Sequence, residues 1–471
     1  MKEVAKQSAK SVNSLTKQRN YNEVIEYFDA HWSVAQDTTL ERMKSLNEAL
    51  GSPASKVNTI LVAGVNGKSL TSYFISRLFK EEGIKVGSFF APHILTYNER
   101  FSLNLETIAN KTFTEIANDI INTAEQRNLK CNTFELLSAM ALVYFEQNKV
   151  DVAVLEVHHG GKFNPLAICN PKILAITRVT PENTKIDDSK IPAIAEDILQ
   201  LAKSHTHVVS SDQSKATLQL LEDLSASHGF NWAMPIRKLV DLESYSQLHG
   251  RCAALAERVA LLFAENFLAP QTTLVSGSLL IKPVGQRGRP TLQAKKERDI
   301  NPVKTLEQFW KETSNEMPGR FQLLDKEKPS ILLDTACNMD ALENVLLGIR
   351  LLHYQRPLKG LSLIMAAAQD TLYNEEFLKA LRYFFKKTSG QIFICPIIDP
   401  VAGVRENNSW DAEHVANDIK AMKIKAKACK NFEEAFELAK KSVDERNGLV
   451  VITGSHSIVN SYWMHKGIKK F

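Results

Sequence analysis

The sequence has no pair of cysteines placed to share a zinc ion. Cys131, Cys169, Cys252, Cys337, Cys395 and Cys429 are far apart, with no CxxC pair and no Cys/His ligand spacing. The expectation is six reduced, mostly buried thiols. No run approaches the ~18 apolar residues that a membrane-spanning helix needs. The start, MKEVAKQSAKSVNSLTKQRN, is polar and basic without the apolar stretch of a secretory signal, and Glu3 within it speaks against a mitochondrial presequence. An excess of one charge is also missing. Lys and Arg number 58 against 53 Asp and Glu, a surplus too small to support nucleic-acid binding. There is no internal repeat and no coiled-coil heptad pattern. A soluble, cytoplasmic chain with no nucleic-acid or membrane partner is expected, and a small anionic ligand suits it better.

What is present is enough apolar material for large cores. The chain has 471 residues, longer than one core usually serves, so two or three domains are expected. From Asn58 onward, short apolar runs alternate with helical patterns, the signature of βαβ units and a mainly parallel sheet. Strands are expected at Thr59–Ala63, Val150–Val157 and Lys172–Ile176. Helices are expected at Leu70–Glu82 and Thr133–Asn148, where apolar residues recur at three and four spacing. The stretch IKPVGQRGRPTLQAKKERDI at 281–300 is rich in Pro, Gly and charge and reads as an interdomain linker. After it, strands are expected at Ser330–Leu333, Leu361–Met365, Gln391–Pro396 and Gly448–Thr453, with a helix at Asn374–Lys387. The expected division is 1–300 and 301–471.

The segment NTILVAGVNGKSLTSYF at 58–74 places a buried strand, a glycine turn and a helix in succession. Such a turn aims backbone N–H groups and a helix N-terminus at one point, which favours a bound phosphate. Gly64, Asn66 and Gly67 shape the loop, Lys68 is placed for the β- and γ-phosphates, and the Ser69 hydroxyl for Mg²⁺. The first glycine of the GxxxxGK[ST] form is absent, because residue 62 is Val. On this segment alone, a plain strand-to-helix turn with a solvated Lys68 fits as well.

Further blocks settle the comparison. VAGVNGKSLTSYFISRLFKEEGIKVGSFFAPHILTYNERFSLN, TFELLSAMALVYFEQNKVDVAVLEVHHGGKFNP, PGRFQ, LLDTACNMDAL and VITGSHSIV occur in that order. Together they resemble the folylpolyglutamate synthase / dihydrofolate synthase family of the Mur ligase superfamily. The resemblance implies an α/β fold with an N-terminal phosphate-loop domain, mainly parallel, and a smaller C-terminal Rossmann-like α/β domain. It implies an ATP-dependent ligase that joins L-glutamate to a folate or dihydropteroate through an acyl phosphate, with ATP and Mg²⁺ as cofactors. A monomer would suit a cleft closing between two domains. Carried over residue by residue, the family pattern assigns Lys68, Glu156 and Arg320 to catalysis. It assigns Arg320 and Asp334 to the nucleotide, with the phosphate loop, and Ser69, Glu156 and Asn183 to metal.

Several family positions differ. Ala91 replaces the Ser of SPHL, Asn183 a metal-binding His, Asp197 a Lys that is carbamylated in the family, and Cys337 the His of DGAHNP. Cys252 stands where an Asn is expected, and His158 and His159 lie beside Glu156. Two readings therefore remain open at this level: an active ligase, or a catalytically degenerate homologue retaining nucleotide or ligand binding only. A phosphate-loop ATPase with no ligase role would leave the FAPHILTYNERFSLN and PGRFQ blocks without a use.

Overall fold

The structure, a computed structural model, describes residues 17–32, 40–158, 160–181, 188–212, 214–240, 242, 247–268, 308–310, 317–369, 371–404 and 408–471. The linker expected at 281–300, the 300/301 boundary, His159 and Asn183 lie outside these residues.

Two sheets organise the chain. The first contains β1 (Thr59–Ala63), β2 (Val86–Phe89), β3 (Phe101–Leu103), β4 (Glu106–Thr107), β5 (Val152–Glu156), β6 (Ile173–Ile176), β7 (His207–Ser210) and β8 (Asn231–Ala233), in the order β4-β3-β2-β5-β1-β6-β7-β8. All its pairings are parallel except β2 with β3 and β3 with β4. The second contains β9 (Gln322–Leu324), β10 (Ser330–Leu333), β11 (Leu361–Met365), β12 (Gln391–Ile394), β13 (Lys425–Ala428) and β14 (Leu449–Thr453), ordered β13-β12-β11-β14-β10-β9. There, only β9 runs antiparallel. This is the two-domain α/β fold expected from the sequence.

Every residue of β1 and of β5 is buried, because helices cover both faces of a parallel sheet. On one face, helix Lys68–Glu81 packs against helix Gln247–Phe267 through Phe74, Leu78, Phe79, Val259 and Phe263. On the other, Phe113, Ile120, Leu137 and Phe145 belong to helices Asn110–Gln126 and Thr133–Gln147. Phe309 and Trp310 also join the first domain's core. The Trp310 ring centre lies 4.9 Å from those of both Phe74 and Phe309, and its Nε1 donates to Glu257 Oε1 at 2.6 Å.

The domains meet along the loop after β2. Three N–H groups, of Ile94, Leu95 and Thr96, donate to the Glu99 carboxylate at 2.9, 2.8 and 2.6 Å and fix this loop. Ile94 then packs among Ile458 and Val459 of the second domain, and Asn460 Nδ2 donates to the Ile94 carbonyl at 2.7 Å. Among the described residues no helix is long and apolar enough to cross a membrane.

Trp310→Ala should destabilise the first domain by about 3–5 kcal/mol, since it opens a large cavity and leaves Glu257 without its indole donor. Urea unfolding followed by circular dichroism checks this; a midpoint equal to that of wild type would show that the segment around residue 310 does not belong to this core.

Candidate active site

The carboxyl ends of parallel strands are where open α/β sheets receive ligands, and here both sheets turn such ends toward one cavity of 240 Å³. From the first domain it is lined by the phosphate loop, Ala91, Glu156 and His158, and from the second by Arg320, Asp334, Cys337 and His456.

The phosphate loop follows β1. Gly67, at φ +88°, precedes the first turn of helix Lys68–Glu81, and Gly64 has φ +117°. Both values lie in the region that disfavours a side chain. A Cβ on Gly67 would also stand 2.8 Å from Cys252 Sγ, and one on Gly64 would stand 2.5 Å from Thr177 Oγ1. The loop thus lies tight against β6 and helix Gln247–Phe267, leaving its outer side for a ligand. Lys68 Nζ donates to the His158 carbonyl at 2.6 Å, and Ser69 Oγ donates to Glu156 Oε1 at 3.0 Å.

Glu156 ends β5 and is 1% exposed. Burial pushes its carboxyl upward. Lys68, the Ala91 N–H at 3.1 Å, Arg320 and the Ser69 hydroxyl pull the other way by favouring the anion. Arg320 enters from the second domain. Its Nη2 donates to Ser69 Oγ at 3.2 Å and lies 3.4 Å from His456 Nε2, while Nη1 donates to Thr335 Oγ1. Behind it, His249 Nε2 donates to the Arg320 carbonyl at 3.0 Å. Burial lowers His249 to about 4, so the ring is neutral and its remaining proton is available for that bond. His456 is likewise held below the ordinary histidine range, by burial and then by Arg320 and Arg100.

Asp334 follows β10. It accepts from the N–H groups of Phe321 and Ala336, both at 2.8 Å. Those bonds and Arg320 favour its charged form, yet burial outweighs them and pushes the carboxyl up to about 6. Asn66 lines the cavity, but its amide is engaged by the second domain. Its Nδ2 donates to Asn338 Oδ1 at 3.0 Å and Asp340 Oδ2 at 2.7 Å, and its Oδ1 accepts from Asn338 Nδ2 at 2.9 Å.

Sequence comparison finds relatives with one shared description. The Bacillus subtilis dihydrofolate synthase/folylpolyglutamate synthase is 32% identical over 207 residues, 43% of this chain and 47% of that protein. The Lacticaseibacillus casei folylpolyglutamate synthase is 27% identical over 218 residues, 45% of this chain and 51% of that protein. The chain therefore spans about half the length of the curated relatives it matches. Folylpolyglutamate synthase from Mycobacterium tuberculosis, solved with ADP, superposes with a TM-score of 0.74 at 19% identity, over 95% of this chain and 98% of that one. That identity level shows a shared fold, and it extends the match across both domains. The chain is similar in sequence and in fold to members of the folylpolyglutamate synthase / dihydrofolate synthase family. No family model matches it.

Those substitutions have readable local consequences. Asp197, at the position of the family's modified Lys, accepts from the Lys162 N–H at 3.2 Å and so braces the loop after Glu156. Cys252, at the position of a family Asn, lies beneath the phosphate loop with Sγ 3.5 Å from the Gly67 carbonyl; burial pushes its thiol up to about 12. Cys337 lines the cavity. Among the described residues no group of three or more His, Cys, Asp and Glu side chains gathers to hold a metal ion. Ser69 and Glu156 nonetheless offer two adjoining oxygens at the phosphate loop. That is enough for Mg²⁺, which is commonly held by one or two carboxylates, water and substrate phosphates.

His249, Thr335 and His456 were not singled out from the sequence. Thr335 and His456 lie within blocks quoted from the sequence, LLDTACNMDAL and VITGSHSIV, and His249 does not.

The Asp334 shift has a definite sign. Its folded value is raised, so it favours the folded state most at low pH, and that contribution is lost as pH rises from about 4 to about 6. Asp334→Asn should remove this fall from a plot of melting temperature against pH. Superimposable curves for the two proteins would contradict the raised value.

Proposed function

We propose that the chain is an ATP-dependent carboxylate–amine ligase that adds L-glutamate to a folate or dihydropteroate. The observation that carries the proposal is the meeting of Lys68, Ser69 and Glu156 with Arg320, a residue of the other domain, around one cavity. What relatives hold supports it. A Yersinia pestis relative has been solved with AMPPNP and Mn ion, and another relative with AMPPCP and folate.

In this reading the loop N–H groups and Lys68 hold the triphosphate, and Arg320 approaches it from the opposite side. A carboxylate oxygen of the folate attacks the γ-phosphorus, the bond to the β-γ bridging oxygen breaks, and ADP leaves. The amino nitrogen of glutamate then attacks the acyl carbon, loses a proton, and displaces inorganic phosphate. Phosphoryl transfer of this kind depends mainly on positioning and charge neutralisation. Mg²⁺, held by Ser69, Glu156 and Asn183, would supply further neutralisation of phosphate charge. Asp334, partly protonated near pH 6, has an oxygen to offer the nucleotide. Cytoplasmic location and action as a monomer belong to the same proposal, and six cysteines that form no disulfide agree with a reducing compartment.

The alternative, a homologue that binds but does not turn over, draws on the changes at Asn183, Asp197 and Cys337. Against it stands the meeting of Lys68, Arg320 and the Glu156 carboxylate at one cavity. Purified protein with Mg·ATP, L-glutamate and a folate or dihydropteroate should release phosphate only when all three substrates are present. Lys68→Ala and Arg320→Ala should each reduce that release by about 100-fold or more. Mg·ATP binding without phosphate release from any pteroate or folate would leave the binding-only reading standing.

A further inference from the structure

The phosphate loop is tied to the second domain by a set of contacts that catalysis as described does not use. Helix Met339–Gln355 begins at the cavity, capped by Asn338, whose Oδ1 accepts from the Ala341 N–H at 3.0 Å. In its first turn, Asp340 reaches the first domain with both oxygens. Oδ1 accepts from Arg178 Nε at 3.1 Å, and Oδ2 accepts from Asn66 Nδ2 at 2.7 Å. We propose that Asp340 is a positioning residue: by clasping Arg178 and Asn66 it holds the domains in the closed arrangement in which Arg320 reaches the phosphate loop.

The inference rests on the nucleotide reading given above, and on three features of the contact. First, Arg178 is set in place before the second domain arrives. It follows β6, and its Nη1 donates at 3.0 Å to Asp212, a carboxylate with no side-chain exposure that also accepts from the N–H groups of Val179 at 2.7 Å and Ser214 at 2.8 Å. The second domain therefore meets a preformed cation, which limits the ordering cost of the new ion pair.

Second, the pair is sheltered. The side chains of Arg178 and Asp340 are 23% and 16% exposed, so the attraction is screened less than that of a surface pair. Third, the clasp ends on the phosphate loop itself. Both polar atoms of the Asn66 amide are engaged by Asn338 and Asp340, which leaves Asn66 only its backbone to offer a phosphate. A triphosphate that orders residues 64–69 thereby orders the anchor of the clasp, and closing the clasp brings Arg320 within reach of Ser69. Asn66, read from the sequence as a nucleotide contact, becomes the link between loop and closure.

If closure is needed for tight binding, weakening the clasp lowers the competent fraction and raises the apparent dissociation constant in proportion. Mg·AMPPNP should bind Asp340→Ala and Arg178→Ala about tenfold more weakly than wild type, within the range typical of coupled sites. The double variant should be no weaker than Asp340→Ala alone, because the contact between the domains that Arg178→Ala removes is already lost with Asp340. Small-angle scattering of the full chain should show a larger radius of gyration for Asp340→Ala. Asp340→Asn, nearly the same shape, serves if the alanine variant does not fold, and should show the same two effects. Unchanged affinity with an unchanged radius, or losses that add in the double variant, would overturn the proposal. Should wild type itself fail to bind Mg·AMPPNP, the nucleotide reading falls, and the scattering comparison alone decides the clasp: equal radii sink it.

Discussion

Glu156 is a carboxylate almost sealed from water, and the groups around it offset part of the cost of burying its charge. A buried carboxylate without compensation would take up a proton. Here Ser69 Oγ and the Ala91 N–H donate to its two oxygens, with Lys68 and Arg320 beside it. These groups reach it from three separate parts of the chain. Ser69 and Lys68 depend on the turn at Gly67, Ala91 on the loop braced by Glu99, and Arg320 on the second domain. One charge therefore requires three elements to converge, and their convergence makes the cavity.

The same arrangement explains why the site lies between domains. The carboxyl ends of β1 and β5 face those of β10 and β14 across it, so neither sheet encloses the cavity alone. Ser69 and Arg320, 251 residues apart in the chain, come into contact only when the domains are together. The closed arrangement has its own fastenings, in Ile94 among the side chains of the second domain and in Asp340 on Arg178. In the proposed reaction such a cleft must admit substrates when open and exclude water when closed, so that an acyl phosphate meets an amine before it is hydrolysed.

Much of the fold was legible in the sequence. Thr59–Ala63, Ser330–Leu333 and Leu361–Met365 were read with the bounds the structure shows, because strands buried on both faces are unbroken apolar runs. The edge strands were not. β13 is Lys-Ala-Lys-Ala, whose charges suit an exposed edge but carry no apolar signal, and β3 with β4 is a short antiparallel ribbon. Trp310 shows another limit. Nothing in its neighbourhood tells which domain it serves, and its packing on Phe74 depends on contacts between residues far apart in sequence. At the site, Lys68, Ser69 and Glu156 were readable because a motif places them at strand ends. Arg178, His249 and Asp340 were not, since their partners come from the other domain or from a distant helix, and no local pattern records that.

The most direct test of the central claim is a crystal structure of the full chain with Mg·AMPPNP. The account predicts the triphosphate on the N–H groups of residues 64–69, with Lys68 Nζ released from the His158 carbonyl to a phosphate oxygen and the Arg320 guanidinium on the γ-phosphate. A nucleotide bound elsewhere, or one bound in the cavity with Arg320 turned away from its phosphates, would contradict it.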